Sequence, residues 1–200
     1  MVFKEKTMKA LLVIDMFNRL DFPGAECLAP RAAAIAEPLA ALVSQVAGEG
    51  GAVFYANDDL GPVSASLSSL KQAMLERGGA SAAIAGHLPI PAGAELVNKP
   101  QHSAFFETSL GQRLRALAPD EVWVAGVAAD LCVLASAVDA SMRGFAVRVP
   151  ADVVASESEE KRAAALLLLR HSFKLDTRPW RGPGGGVRES AQSRQCVSGS

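Results

Sequence analysis

The stretch VWVAGVAADLCVLASAVDASMRGFAVRV, Val122 to Val149, decides the fold class. It opens on VWVAG, an almost unbroken apolar run of β-branched and aromatic residues, which suits a strand covered on both faces. From Ala129 to Arg143 the apolar residues fall at helical spacing, and Gly144 supplies a natural stop. FAVRV, Phe145 to Val149, then reads as a second buried strand. Two strands of this kind joined through a helix form a parallel pair with a right-handed crossover.

The same alternation extends in both directions. ALLVI (Ala10–Ile14) and AVFYA (Ala52–Ala56) are further buried strands, and ELV (Glu95–Val97) is a weaker fifth. An alanine-rich helix is predicted over Pro30–Val46, closed by the glycines between 48 and 51. Thr108 or Ser109 is placed to cap a helix ending at Leu117 before Pro119. Ser156 followed by Glu159 predicts a capping box for the helix that carries ALLLL. Strands alternating with helices imply an α/β chain, a three-layer α/β/α sandwich of Rossmann-like type with a mostly parallel sheet. No internal repeat is present.

Residues 8–180 are expected to form one domain, preceded by a short extension over residues 1–7. After Trp180 the sequence turns to Gly, Ser and Arg, and a disordered tail is expected over residues 181–200. Twenty basic against twenty-one acidic residues give a formal charge of -1 with no basic block, which argues against nucleic acid or an anionic membrane as a partner. No uninterrupted apolar run approaches the ~20 residues of a membrane span. The N-terminus lacks the tripartite pattern of a signal peptide, so a cytoplasmic location is expected. Cys27, Cys132 and Cys196 show no metal-ligand spacing, and neither a metal nor a cofactor is expected.

Open parallel sheets bind ligands beyond the carboxyl ends of their strands. Three chemically useful residues fall at such ends: Asp15 after ALLVI, Lys99 after ELVN, and Cys132 in the first turn after VWVAG. A helix N-terminus and a nearby ammonium both favour a thiolate, so Cys132 is expected to have a lowered pKa. Asp15 is placed to take the thiol proton, Lys99 to hold the two acids together, and backbone N–H groups at Ala128 and Cys132 to receive an oxyanion. The plainer alternatives are a buried inert cysteine, a capping aspartate and a solvated lysine before Pro100. A small-molecule substrate is expected to meet Asn57, His102 and Phe105. Each has its structural reading too: His102 as a solvated loop residue, Asn57 with Asp58 as helix caps, and Phe105 or Phe106 as core.

LLVIDMFNRLDF (Leu11–Phe22), VNKPQHSAFFETSL (Val97–Leu110) and VAGVAADLCVLASAVDASMRGF (Val124–Phe145) together resemble the three signature blocks of the isochorismatase-like cysteine hydrolases. The resemblance runs from about Met8 to Phe173. It implies a six-stranded parallel sheet and a catalytic triad of Asp15, Lys99 and Cys132. The implied reaction is cleavage of a C–N bond in a small amide, carbamoyl or imide-like substrate through a thioester. It also implies a cis peptide at Val127–Ala128 and a homo-oligomer, dimer or tetramer.

Departures from the family pattern bear on specificity. Phe17 stands where glutamine is common, so the resemblance implies an aromatic face at a substrate-binding position, and Ala129 stands where many members have threonine. YANDDLGPVSAS (Tyr55–Ser66) contains no histidine, unlike the metal-binding segment of nicotinamidases. Two rival functions stay open from sequence: a catalytically silent small-molecule-binding module of the same fold, and a vinyl ether hydrolase of isochorismatase type. A nucleotide-binding Rossmann protein is disfavoured because MFNRLDFPG supplies no glycine-rich phosphate turn.

Overall fold

The computed structural model of the chain describes residues 7–181. The expected tail after Arg181 and nearly all of the N-terminal extension lie outside these residues. The central strand β1 (Lys9–Ile14) pairs in parallel with β2 (Ala52–Asp58) on one side and β4 (Glu121–Val127) on the other. β3 (Glu95–Lys99) adds outside β2, and β5 (Val147–Arg148) outside β4. A sixth strand, β6 (Val154–Ala155), pairs with the last residues of β4. The order is β3-β2-β1-β4-β5 with β6 beside β4, which is the six-stranded parallel sheet that the resemblance implies.

Alternation along the strands divides the core. Leu11 and Val13 face α1 (Ala25–Gly48), α2 (Leu67–Arg77) and α3 (Gly79–His87). Leu12 and Ile14 face the opposite cluster, to which α4 (Leu110–Leu117), α5 (Leu134–Met142) and α6 (Glu159–His171) contribute. Each large apolar side chain removed from water contributes roughly 1.5–3 kcal/mol, so the two clusters fix both helical layers to the sheet.

Several local expectations are corrected. α1 starts at Ala25, five residues before Pro30, because Ala25 and Leu28 bury against the core and outweigh the local cost of a proline inside a helix. This helix is long and apolar enough to cross a membrane by length and composition, yet its stripe from Leu28 to Val46 packs on the sheet. Ser158, not Ser156, caps α6, accepting from the Lys161 N–H at 3.2 Å. Ser156 is buried instead and accepts from the Asp130 N–H. FAVRV contributes only Val147 and Arg148 to the ladder, since Val149 N–H turns to the Asp176 carbonyl.

Gly126 shows why β4 can run so close to β1. Its φ is +113°, and a Cβ there would stand 2.2 Å from the Ile14 carbonyl oxygen. Only glycine fits this close approach. The consequence is functional, because Ile14 and Gly126 are register partners directly before Asp15 and Val127.

Candidate active site

Parallel register carries the ends of β1, β2, β3 and β4 to one edge of the sheet. Asp15 follows β1 with φ +51°, a left-handed conformation that aspartate tolerates better than most residues, and its N–H donates to Ala56 at 2.8 Å. Asp58 and Lys99 are opposite one another at the ends of β2 and β3. Beyond β4, residues Ala129–Val133 form a π-helical turn rather than the first turn of a long α-helix. Val133 N–H closes it on the Ala128 carbonyl at 3.1 Å, and α5 begins only at Leu134. Wide turns of this kind inside helices occur often at functional sites.

Lys99 is the hub. Its ammonium is fully buried and lies 2.9 Å from Asp15 Oδ2, 2.5 Å from Asp58 Oδ1 and 3.6 Å from Cys132 Sγ. The Asp15 carboxylate also receives the Asp58 N–H at 3.3 Å, and it is close enough to Cys132 for each to shift the other's proton affinity. His102 Nδ1 stands 3.7 Å from the sulfur. Asp15, Lys99 and Cys132, from three distant segments, are therefore brought together, and each is more than nine-tenths buried.

Burial governs the electrostatics. It raises the Asp15 pKa from 3.8 to about 6, opposed by Lys99 and aided by the Asp58 charge. Burial also pushes the Cys132 thiol up to about 12, and the Asp15 charge adds to this while Lys99 opposes it. The expectation of a lowered thiol pKa is thus corrected: desolvation and the neighbouring carboxylate outweigh the ammonium. For Lys99 burial acts downward, but Asp15, the sulfur and Asp58 together hold the ammonium above its ordinary value. At neutral pH the resting cluster is a carboxylate, an ammonium and a neutral thiol.

A cavity of about 280 Å³ opens on this cluster. Asp15, Phe17, Asn57, His102, Ala128 and Cys132 all line it, so most of the sequence-predicted site meets in one place. Phe17 is fully buried and stacks on Tyr55 at 5.0 Å, which makes it a fixed wall. Asn57 is buried, and its Nδ2 donates to the Phe17 carbonyl at 2.9 Å, so it braces the loop after β1. Phe105 does not line the cavity: it is buried in the core, stacked on Phe145 at 6.4 Å and covered by Arg143. The turn that follows Ser103 buries Ala104 and Phe105 together, whereas Phe106 is exposed. The Val127–Ala128 peptide is cis.

Reading the sequence left Asp58 open between cleft and cap, and its place on Lys99 was signalled only by the β2–β3 register. Arg19, Phe22, Leu131 and Glu157 also line the cavity; Leu131 falls within the predicted helix Ala129–Arg143, and the other three lie in loops. Among the described residues no group of three or more His, Cys, Asp or Glu side chains is arranged to hold a metal ion.

The sequence profile of the isochorismatase domain matches residues 9–175. The chain belongs to the isochorismatase family. It is 32% identical over 166 residues to YaaI, an isochorismatase family protein of Bacillus subtilis, covering 83% of this chain and 91% of the relative. It is also 32% identical over 164 residues to maleamate amidohydrolase of Pseudomonas putida, covering 78% and 76% respectively. A solved pyrazinamidase/nicotinamidase of Streptococcus mutans superposes with a TM-score of 0.66 at 27% identity, covering 84% of this chain and 99% of the other. The chain is thus an isochorismatase-family hydrolase, and its named relatives include amidohydrolases.

Proposed function

We propose that this protein is a cofactor-independent amidohydrolase that uses Cys132 as nucleophile, Asp15 as general base and acid, and Lys99 as their common counter-ion. The observation that carries the reading is a buried ammonium within 2.9 Å of the carboxylate and 3.6 Å of the sulfur, both of which line a cavity of small-molecule size. A carboxylate with a pKa of about 6 is mostly ionised at neutral pH yet protonates readily, as a base that later serves as acid requires.

Because the thiol rests protonated, its proton leaves for Asp15 as the sulfur attacks the substrate carbonyl carbon. The C–S bond forms and the carbonyl electron pair moves to oxygen, where backbone N–H groups at Ala128 and Cys132 receive it. As that pair returns, the C–N bond breaks and Asp15 gives its proton to the nitrogen, releasing ammonia or an amine. Water then yields a proton to Asp15 and its oxygen attacks the thioester carbon. The C–S bond breaks, the sulfur recovers the proton, and a carboxylic acid leaves.

The test is ammonia release from a panel of small amides, carbamoyl compounds and cyclic imides, with wild type and Cys132→Ala. We expect Cys132→Ala to lower kcat by about 10⁴ or more while the far-ultraviolet spectrum and melting temperature stay near wild type. Mass spectrometry of a quenched reaction is expected to show an acyl adduct on Cys132. An alanine variant with full activity would end the mechanism. The rival reading, a silent binding module, draws on the raised thiol pKa and the apolar wall at Phe17; it predicts bound ligand with Cys132 unmodified.

A further inference from the structure

Charge in the cavity is distributed unevenly. Four carboxylates line it, and each already faces a cation: Asp15 and Asp58 share Lys99, Asp21 meets Arg77 at 3.4 Å, and Glu157 pairs with Lys161. The lining has one arginine, Arg19, whose guanidinium has no ion-pair or hydrogen-bond partner among the described residues. Its backbone is nevertheless fixed. Ser81 Oγ donates to the Arg19 carbonyl at 3.1 Å, and the following Leu20 N–H donates to Asn18 Oδ1 at 2.8 Å. An anchored turn therefore adds an unpaired planar cation to the lining of a cavity that Phe17, Phe22 and Leu131 also line.

Around Lys99 and Cys132 the bias is reversed, because two carboxylates there share a single ammonium. An anionic group is disfavoured beside Cys132 and favoured beside Arg19, while a neutral carboxamide suits the Cys132 end. From this polarity we infer that Arg19 is a specificity-determining residue that binds a substrate carboxylate, and that the substrate is a small amide with a carboxylate at its far end. A monoamide of a short dicarboxylic acid has this form. The inference rests on the amidohydrolase reading and sharpens it. The reaction is then ⁻OOC–R–CO–NH₂ + H₂O → ⁻OOC–R–COO⁻ + NH₄⁺, and the new carboxylate appears against Asp15 and Asp58, which repel it and favour release. Arginine is the side chain best matched to this role, since its fork meets both carboxylate oxygens.

Succinamate and butyramide have the same chain length and differ by the terminal carboxylate. Calorimetric titration of Cys132→Ala, which separates binding from turnover, is expected to give succinamate about 10- to 100-fold tighter binding than butyramide. Adding Arg19→Met is expected to bring that ratio close to one, and Arg19→Lys to retain part of it. A ratio unchanged by Arg19→Met, or no binding of succinamate at all, overturns the inference. Arg19→Gln provides the same test should the methionine variant fail to fold. Selective binding without ammonia release by wild type would remove the hydrolase reading and leave the Arg19 assignment standing. Equal kcat/KM for both amides would do the reverse.

Discussion

Replacing Asp58 by Asn removes one of the two carboxylates on Lys99 and leaves the shape of the cavity nearly unchanged. Two effects on Asp15 then act in the same direction. The negative charge that disfavours its ionisation disappears, and Lys99, at 2.9 Å, no longer divides its field with a second acid. The two oxygens that touch Lys99, at 2.9 and 2.5 Å, lie at most about 5 Å apart, and Asp58 is more than half exposed, so an effective dielectric of about 40–80 is appropriate. Coulomb's law then gives an interaction of about 1 kcal/mol, which is close to one pH unit. The active free enzyme needs Asp15 ionised, so kcat/KM is expected to rise through pH about 6 in wild type and about one unit lower in Asp58→Asn. With the thiol at about 12, no alkaline limb from Cys132 is expected below pH 9. Ammonia release measured from pH 4.5 to 9.5 is the assay, with Asp59→Asn as control because that carboxylate accepts from Gly61 N–H and lies off the cavity. An acid limb that stays in place, or moves upward, refutes the account of how Asp15 is tuned.

Lys99→Met leaves a buried carboxylate without its cation, which costs on the order of 3 kcal/mol and lowers the melting temperature by about 6–12 °C at pH 8. The Asp15 pKa already lies above its ordinary value and rises further in this variant, so the folded state holds the proton more tightly than the unfolded chain does. Stability from this group is therefore greatest at low pH and falls as pH rises through that window; scanning calorimetry at pH 5 and pH 8 should show the smaller loss at pH 5. Gly126→Ala forces a Cβ to within 2.2 Å of the Ile14 carbonyl at φ +113°. A loss of about 3 kcal/mol or more is expected, read as a drop in the denaturant midpoint; a melting temperature unchanged within 2 °C would show that β1 and β4 separate more easily than the register suggests.

Much of this arrangement is legible in the sequence because it follows from strand ends. Once Val122–Val149 is read as strand, helix and strand, parallel order sends Asp15, Lys99 and Cys132 to one edge without knowledge of any contact. What escapes the reading is short or depends on the third dimension. β6 is two residues long and has no period to detect. Leu67, Leu70 and Met74 do fall at helical spacing in α2, but the Ser-rich stretch before them reads as loop. Ser158 and Ser156 are equally good caps by residue type, and only the burial of Ser156 separates them. The thiol pKa fails for the same reason: charge partners can be guessed from spacing, whereas desolvation cannot.

That failure changes the chemistry. A thiol held at about 12 is ionised in only about one molecule in 10⁵ at neutral pH, so the resting sulfur resists oxidants and alkylating agents that need a thiolate. Reactivity then depends on Asp15 taking the proton while a carbonyl is in place to accept the sulfur's electrons. The proton moves between two groups that both touch Lys99, so the total charge of the cluster is unchanged and the ammonium faces one anion of that pair before and after the transfer. A neutral thiol beside an ionised acid is for this reason a latent nucleophile. The geometry that raises its pKa is the same geometry that supplies its base.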